Sequence, residues 1–332
     1  AGTSRRGRKM FTDSYAPAEW SFSTYARPFK SAGGTPAAAN GLADATENNH
    51  HAVEEVLWAL MAGPATYASS TFPGFTADTT DLNINFANSN KSTLGTASIY
   101  FVVGNANKKV YKLTNAVVNE ATLNFEIDGI AMIDWSGFAA EVVDDTATGL
   151  PTATVYEDVT ATDNFIRNRL TQLTVTPTTR DPDSDGVNEL EANYSITLTG
   201  GNITMSNNLT FITPEEIGLV NIPIGHVTGT RSVSGSMTCY LSKDTSATNH
   251  SADLWEDLKS ITSVVTNSFG LVFKIGGITA GQPRLEVNMP TCHLEIPTHS
   301  IEDVISVETA FNALPSTIDG TNEATVIYYP KQ

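Results

Sequence analysis

The sequence predicts a mainly β protein, a β-sandwich or partial barrel with one or two short flanking helices. Three observations carry that expectation. Apolar and polar residues alternate in several segments, most clearly where Leu123, Phe125 and Ile127 interleave with Asn124, Glu126 and Asp128. That period of two marks a strand with one covered face and one wet face. Charged residues make up only 17% of the 332 positions, against roughly 25% in an average soluble chain. Thr, Ser, Asn, Ala and Gly fill the difference, so the surface is small and polar. Only two segments show helical spacing, and strand-like runs with a few helices point to helical cover over sheet edges.

Residues 1–46 read as an N-terminal arm, because Gly, Pro, Ala and Ser interrupt each apolar cluster and 31–41 (SAGGTPAAANG) reads as a flexible link. The string Trp20, Phe22, Tyr25 and Phe29 is too apolar for a free tail. It must dock on its own domain or on a neighbouring subunit. Residues 47–332 read as one β domain, with a loop or insertion at 144–192.

The first helix is expected from Asn49 to Ala62, with Val53, Val56, Leu57 and Leu60 at helical spacing. Asn48 or Asn49 would cap it and Gly63-Pro64 would end it. Glu54 and Glu55 would sit near its favourable positive end. A second helix is expected from Ser251 to about Ser263, with Leu254, Trp255, Leu258 and Ile261 on one face. Strands are expected at 98–103, 109–113, 116–118, 122–127 and 130–143. More follow at 172–177, 194–205, 227–242, 271–276, 284–289, 292–296, 304–311 and 324–329.

The formal net charge is −17, unevenly spread. Residues 1–30 hold six basic side chains against Asp13 and Glu19, while the other 302 residues hold 13 basic and 34 acidic groups. Residues 113–166 contain ten acids and residues 181–230 seven, with no Lys or Arg in either block. Such acidity argues against a general nucleic-acid binder, since phosphate affinity comes mainly from Lys and Arg. A field of one sign over long strands also costs self-repulsion in the compact state. No apolar run is long enough to span a membrane. The basic N-terminal stretch has no apolar segment behind it, so no secretory signal is expected.

Nothing reads as catalytic, and the chain is expected not to be an enzyme. No phosphate loop or nucleophile elbow occurs. The six histidines lack metal-ligand spacing; Asn49-His50-His51 reads as a solvated helix start, where adjacent side chains diverge. Cys239 and Cys292 read as buried free thiols; a bridge would need their Cα atoms within about 7 Å. Asp181, Asp183, Asp185 and Glu189 imitate the first part of a calcium loop, with Gly186 at the sharp turn. Position twelve of that loop is Ala192, not a bidentate Glu, so an Asp/Gly hairpin tip is preferred to a Ca2+ site, and no cofactor is expected. Arg5, Arg6, Arg8 and Lys9 could touch nucleic acid or an acidic neighbour. The more economical reading docks them on the acidic body of another copy.

Residues 110–143 (VYKLTNAVVNEATLNFEIDGIAMIDWSGFAAEV) resemble the central strand pair of the tail tube proteins of long-tailed bacteriophages, the major tail protein family. Residues 196–244 are similar to that family's second half, with a strand pair ahead of a "g-x-r-x-v-s-G-s-m-t" strand, and a helix and closing strands follow at 251–296. The resemblance implies a structural virion protein that forms hexameric rings, whose inner strands complete one β-barrel across subunits. Rings stack through an arm, a long loop or a C-terminal segment. Candidates for the inter-ring arm are Arg5, Arg6, Arg8, Lys9, Trp20 and Phe22. Double-stranded genome DNA passes through the lumen without specific binding. The same resemblance implies a tape measure protein, a tail terminator and baseplate or tail-tip proteins as partners, the phage tail as location, and assembly in the host bacterial cytoplasm. No membrane is involved. Candidate lumen residues are Asn124, Glu126, Asp128, Asn202, Thr204, Ser206 and Asn208, since a negative or merely polar wall would not hold phosphate. The alternative reading is another β-rich module, a virion decoration protein or a bacterial surface adhesin.

Overall fold

The structure, a computed structural model, describes residues 16–32, 47–63, 75–77, 81–86, 94–104, 108–145, 165–182, 184–213, 223, 225–242, 250–260, 268–295, 297–301, 305–318 and 320–330. Its first part comprises β1 (Ala18–Tyr25), β2 (Pro28–Ala32), β3 (Glu47–Ala52), helix α1 (Glu55–Ala62), β4 (Phe75–Ala77) and β5 (Leu82–Asn85). The middle holds β6 (Ala97–Val103), β7 (Lys109–Glu126), β8 (Met132–Ala139), β9 (Glu141–Asp145), β10 (Gln172–Pro177) and β11 (Tyr194–Ser206). Then come β12 (Thr210–Ile212), β13 (Gly225–Val227), β14 (Ser232–Tyr240) and helix α2 (Ser251–Ser260). The chain closes with β15 (Phe269–Ile275), β16 (Arg284–Leu294), β17 (Thr298–Ile301), β18 (Ile305–Ala313) and β19 (Thr325–Tyr329).

Six of these strands close on themselves, in the order β11, β14, β18, β16, β15, β10 and back to β11, each pair antiparallel. Closure removes the exposed edges of those strands. It is possible because β11 is long enough to change partner. On one edge it pairs β14; on the other, Tyr194–Thr197 pair with β10, and Gly200–Ser206 with β7. Past β7 the sheet continues through β8 to β1. On the other flank β16 leads to β19, β5 and β4.

The alternating pattern decides the core. Leu123, Phe125, Ile133, Trp135, Ile203, Met205, Val233, Met237 and Phe311 are all buried. Phe273 links the layers, its ring 5.6 Å from Phe125 and 5.4 Å from Phe311. At Gly137, Gly201 and Gly235 an aromatic ring lies over a strand glycine. A Cβ on Gly137 would meet the Val117 carbonyl and come 2.6 Å from the Trp20 ring; one on Gly235 would meet the Asn202 carbonyl and come 2.7 Å from the Phe311 ring.

Helix α1 is shorter than its periodicity suggests. It begins at Glu55, with no side-chain cap, and ends as expected at Gly63, whose φ of 101° is left-handed. Asn48–His51 instead belong to β3, held by backbone pairing with β2. The non-local partner outweighs a local helical preference that is only a weak prior. The expected solvated helix start is therefore corrected: His50 and His51 are buried, and His51 Nδ1 lies 2.9 Å from Glu55 Oε2. Glu54 is buried as well. It accepts a bond from the Tyr328 hydroxyl at 2.6 Å, and the Trp58 indole donates to that hydroxyl at 2.7 Å, which ties α1 to β19. Burial pushes the Glu54 carboxyl up to about 7. Helix α2 starts at Ser251 as expected, with Leu254 and Trp255 buried.

Of the segment 1–46, Ala18–Tyr25 form the edge strand β1 on β8, and Pro28–Ala32 pair with β3. Residues 1–15 lie outside the described residues, Arg5, Arg6, Arg8 and Lys9 among them. So does 146–164, the larger part of the insertion expected at 144–192. The strands expected at 109–113, 116–118 and 122–127 are one element, the 18-residue β7.

Candidate channel wall

β7 sits between β8 and β11. The registers lay six strands side by side in the order β1, β8, β7, β11, β14, β18. Because side chains alternate, one face of all six is the core just described. The other face collects Glu19, Ser21 and Ser23 from β1, Asp134 and Ser136 from β8, and Glu120, Thr122, Asn124 and Glu126 from β7. It continues with Asn202, Thr204 and Ser206 from β11, Ser232, Ser234, Ser236 and Thr238 from β14, and Glu308 and Asn312 from β18.

Short polar side chains bond across the strands. The Ser23 hydroxyl donates to Asp134 Oδ1 at 2.5 Å, and Asn124 Nδ2 donates to Asp134 Oδ2 at 2.6 Å. Thr122 and Thr204 hydroxyls meet at 3.0 Å, and Asn202 Nδ2 donates to the Ser236 hydroxyl at 3.4 Å. Cross-strand pairs of this kind are the unit of sheet stabilisation.

The charge of this face has one sign. Its carboxylates are Glu19, Glu120, Glu126, Asp134 and Glu308, and none of the six strands contains Lys or Arg within the wall rows. A duplex near such a surface meets repulsion and no phosphate ligand.

The structure brings five of the seven sequence candidates into this face: Asn124, Glu126, Asn202, Thr204 and Ser206, with Asn202 opposite Asn124. Ser206 is the most covered of them. The other two sit at its ends. Asp128 lies exposed in the turn between β7 and β8. Asn208 follows β11 with a left-handed φ of 49°, and its Nδ2 donates to the Thr230 carbonyl at 2.6 Å. Trp20 and Phe22, candidates for the inter-ring arm, are engaged within their own subunit. Their rings stack at 5.2 Å, and the Trp20 indole donates to the Phe138 carbonyl at 3.2 Å.

Sequence reasoning missed the contributions of β1, β14 and β18. A signal was available: Ser21-x-Ser23 and Ser232-x-Ser234-x-Ser236 repeat at the strand period.

The acidic loop at 181–189 has a different character. Carboxylate oxygens of Asp181, Asp185 and Glu189 lie within 4.8 Å of one another. Asp181 already accepts the backbone N–H groups of Asp185 at 3.1 Å and Gly186 at 2.8 Å, which organises the turn itself. Asp183 lies outside the described residues. Cys239 and Cys292 are free and buried, and burial pushes their thiols up to about 11 and about 12. Among the described residues no helix is long and apolar enough to cross a membrane.

A family model described as phage tail tube protein matches residues 17–313. The tail tube protein pb6 of Escherichia phage T5 is 30% identical over 327 residues, which cover 96% of this chain. The chain spans 63% of the length of that relative.

Proposed function

We infer the role from one premise: the chain belongs to the phage tail tube protein family. It is a structural protein of the virion tail, and a decoration or adhesion role has no counterpart in that match. Copies of the chain close into rings, the rings stack, and the six-strand polar face lines the lumen through which the genome leaves. The observation that supports this most is the wall without a base. DNA in transit needs a surface that does not bind phosphate, and Ser, Thr, Asn and a few carboxylates provide one over the middle of the wall, with Tyr25, Met132 and Tyr240 confined to one rim. The outer edge of β1, which pairs with no second strand among the described residues, and the β17–β18 side of the sheet are the edges that neighbouring copies would join, which removes an edge-strand liability. Tape measure, terminator and baseplate or tip proteins would meet the ends of the stack. Assembly would take place in the host cytoplasm.

The width of the wall favours a second reading of ring size. Family resemblance implies six copies. Here one chain supplies six strands, with β17 paired onto β18 as a seventh. Three copies would bring about twenty strands, already in the size class that leaves an open lumen, and six would about double the circumference. The rotational symmetry of ring images separates the two.

The lumen reading is tested by Glu126→Lys with Glu308→Lys. Both side chains are exposed. Tubes carrying the pair are expected to form normally, to retain double-stranded DNA in a salt-dependent way, and to eject genomes at least tenfold more slowly. Wild-type ejection kinetics from such virions would place the face elsewhere.

A further inference from the structure

We propose that the sheet β6–β7–β9 is an axial plug, and that it docks on the opposite rim of the wall in a second copy of this chain in the next ring. The inference rests on the tube reading and adds the partner surface to it.

The first observation is the path of β7. Glu120–Glu126 pair with β8 and β11 inside the wall. Beyond Val118 the strand continues with new partners, β6 on one edge and β9 on the other. The three strands therefore leave by the end of the wall at which Ala18, Ala139 and Ser232 stand.

The second is what they display. Ile99, Phe101 and Val103 share a face and stand opposite Leu113, Tyr111 and Lys109, with Val142 opposite Leu113 on the far edge. At the root this face is core: Leu113, Ala116 and Val118 are buried, with Ile99 packed on them. Further out, among the described residues, only the Phe22 ring meets it, edge-on to Phe101 at 6.4 Å. Phe101 is 38% exposed, Tyr111 42%, Val142 55% and Val103 59%. A contiguous apolar sheet face of this kind marks an interaction surface.

The third is a matching surface at the other end of the same strands. Tyr25, Ile127, Ile130, Met132, Tyr240 and Ile305 line that rim, between 37% and 50% exposed. The register explains their grouping, since Tyr25 is opposite Met132, and Tyr240 opposite Ser306 beside Ile305. The plug displays the core side of the sheet, whereas Tyr25, Met132 and Tyr240 lie on the wall side, an arrangement suited to a lap joint. Charge does not oppose the contact: Lys108, Lys109 and Lys112 on the plug are balanced there by Glu141, Asp144 and Asp145, and Lys109 pairs with Asp144, so the apolar surfaces carry the joint. Surfaces at opposite ends of one chain make a head-to-tail contact that does not close, and such contacts build filaments.

The full chain is tested with two double variants, Val103→Ser with Tyr111→Ser on the plug, and Ile127→Ser with Ile130→Ser on the rim. Native mass spectrometry reads rings and negative-stain microscopy reads tubes. Both variants are expected to form rings and to lose at least nine-tenths of tube length. A Val103→Cys, Ile127→Cys chain should give a ladder of cross-linked multimers on oxidation of tubes, since the native cysteines are buried. Tubes of wild-type length from the serine variants would overturn the docking while leaving the tube reading intact. Loss of rings with an unchanged melting temperature would move the plug to the lateral contact and equally overturn it. Wild-type protein that makes no rings would remove the tube reading itself.

Discussion

One strand, β7, passes through two regions that obey different rules. In the wall, between Glu120 and Glu126, its apolar side chains are sealed beneath the sheet and its polar ones face solvent. In the plug, between Lys109 and Leu113, Val110 and Leu113 are still buried, but the row that is core at Leu113 runs on to Tyr111, which is 42% exposed. Asn115, at φ 49°, and a register shift between Val118 and Glu120 separate the halves. Such irregularities re-aim a strand. The contrast teaches that alternation alone does not tell a core face from a docking face. What differs is whether another layer of the same chain lies over it.

The sharpest way to break the comparison is to remove bulk from each half. Phe125→Ala, beneath the wall, should cost about 3–5 kcal/mol, as large-to-small core changes do. Val103→Ser, on the plug, should stay within about 0.5 kcal/mol, as surface changes do. Urea denaturation of the isolated subunit measures both. Equal losses would mean that the plug is covered by its own chain.

A second contrast sets the wall's carboxylates, which keep contact with water, against Glu54, which does not. A buried acid whose folded value of about 7 lies above its unfolded one binds a proton on folding. Stability from this group is greatest below about pH 4.5, falls as pH rises toward 7 and is flat above, a change of about 3 kcal/mol. Glu54→Gln should therefore stabilise the subunit at pH 8 and lose that advantage at pH 4. Denaturation midpoints across that range would show the converging curves, and parallel curves would sink the assignment. Arg27 N–H at 3.2 Å and the Tyr328 hydroxyl keep an acceptor in the Gln variant.

A smaller loss than in the core is expected from the wall's hydrogen bonds. Asn124→Ala removes the bond to Asp134 and should cost about 1 kcal/mol, because the freed carboxylate is taken up by water. A loss above about 3 kcal/mol would mean that the polar face is as structural as the core.

Much of the strand content was legible because a half-covered strand writes its two faces into alternate residues. β10 and β11 begin where their patterns do, and Asn124, Glu126, Asn202 and Thr204 were readable as wet positions. The start of α1 was not, since Asn48–His51 satisfy a helical pattern and are held in β3 only by a partner some twenty residues upstream. Nor was β1, whose alternation is intact but short, set between Pro17 and Pro28 in a stretch that reads as an arm.

By itself the sequence determined the class of fold, the base-free acidic blocks at 113–166 and 181–230 and the identity of many residues that face water. Tertiary structure alone decided that β1, β8, β7, β11, β14 and β18 lie side by side, so that their separate polar rows become one wall, and that β7 outruns its cover. The physical reason is range. Periodicity is a property of neighbours along the chain, whereas strand order and coverage depend on contacts between segments up to about three hundred residues apart, whose pairing no local pattern encodes.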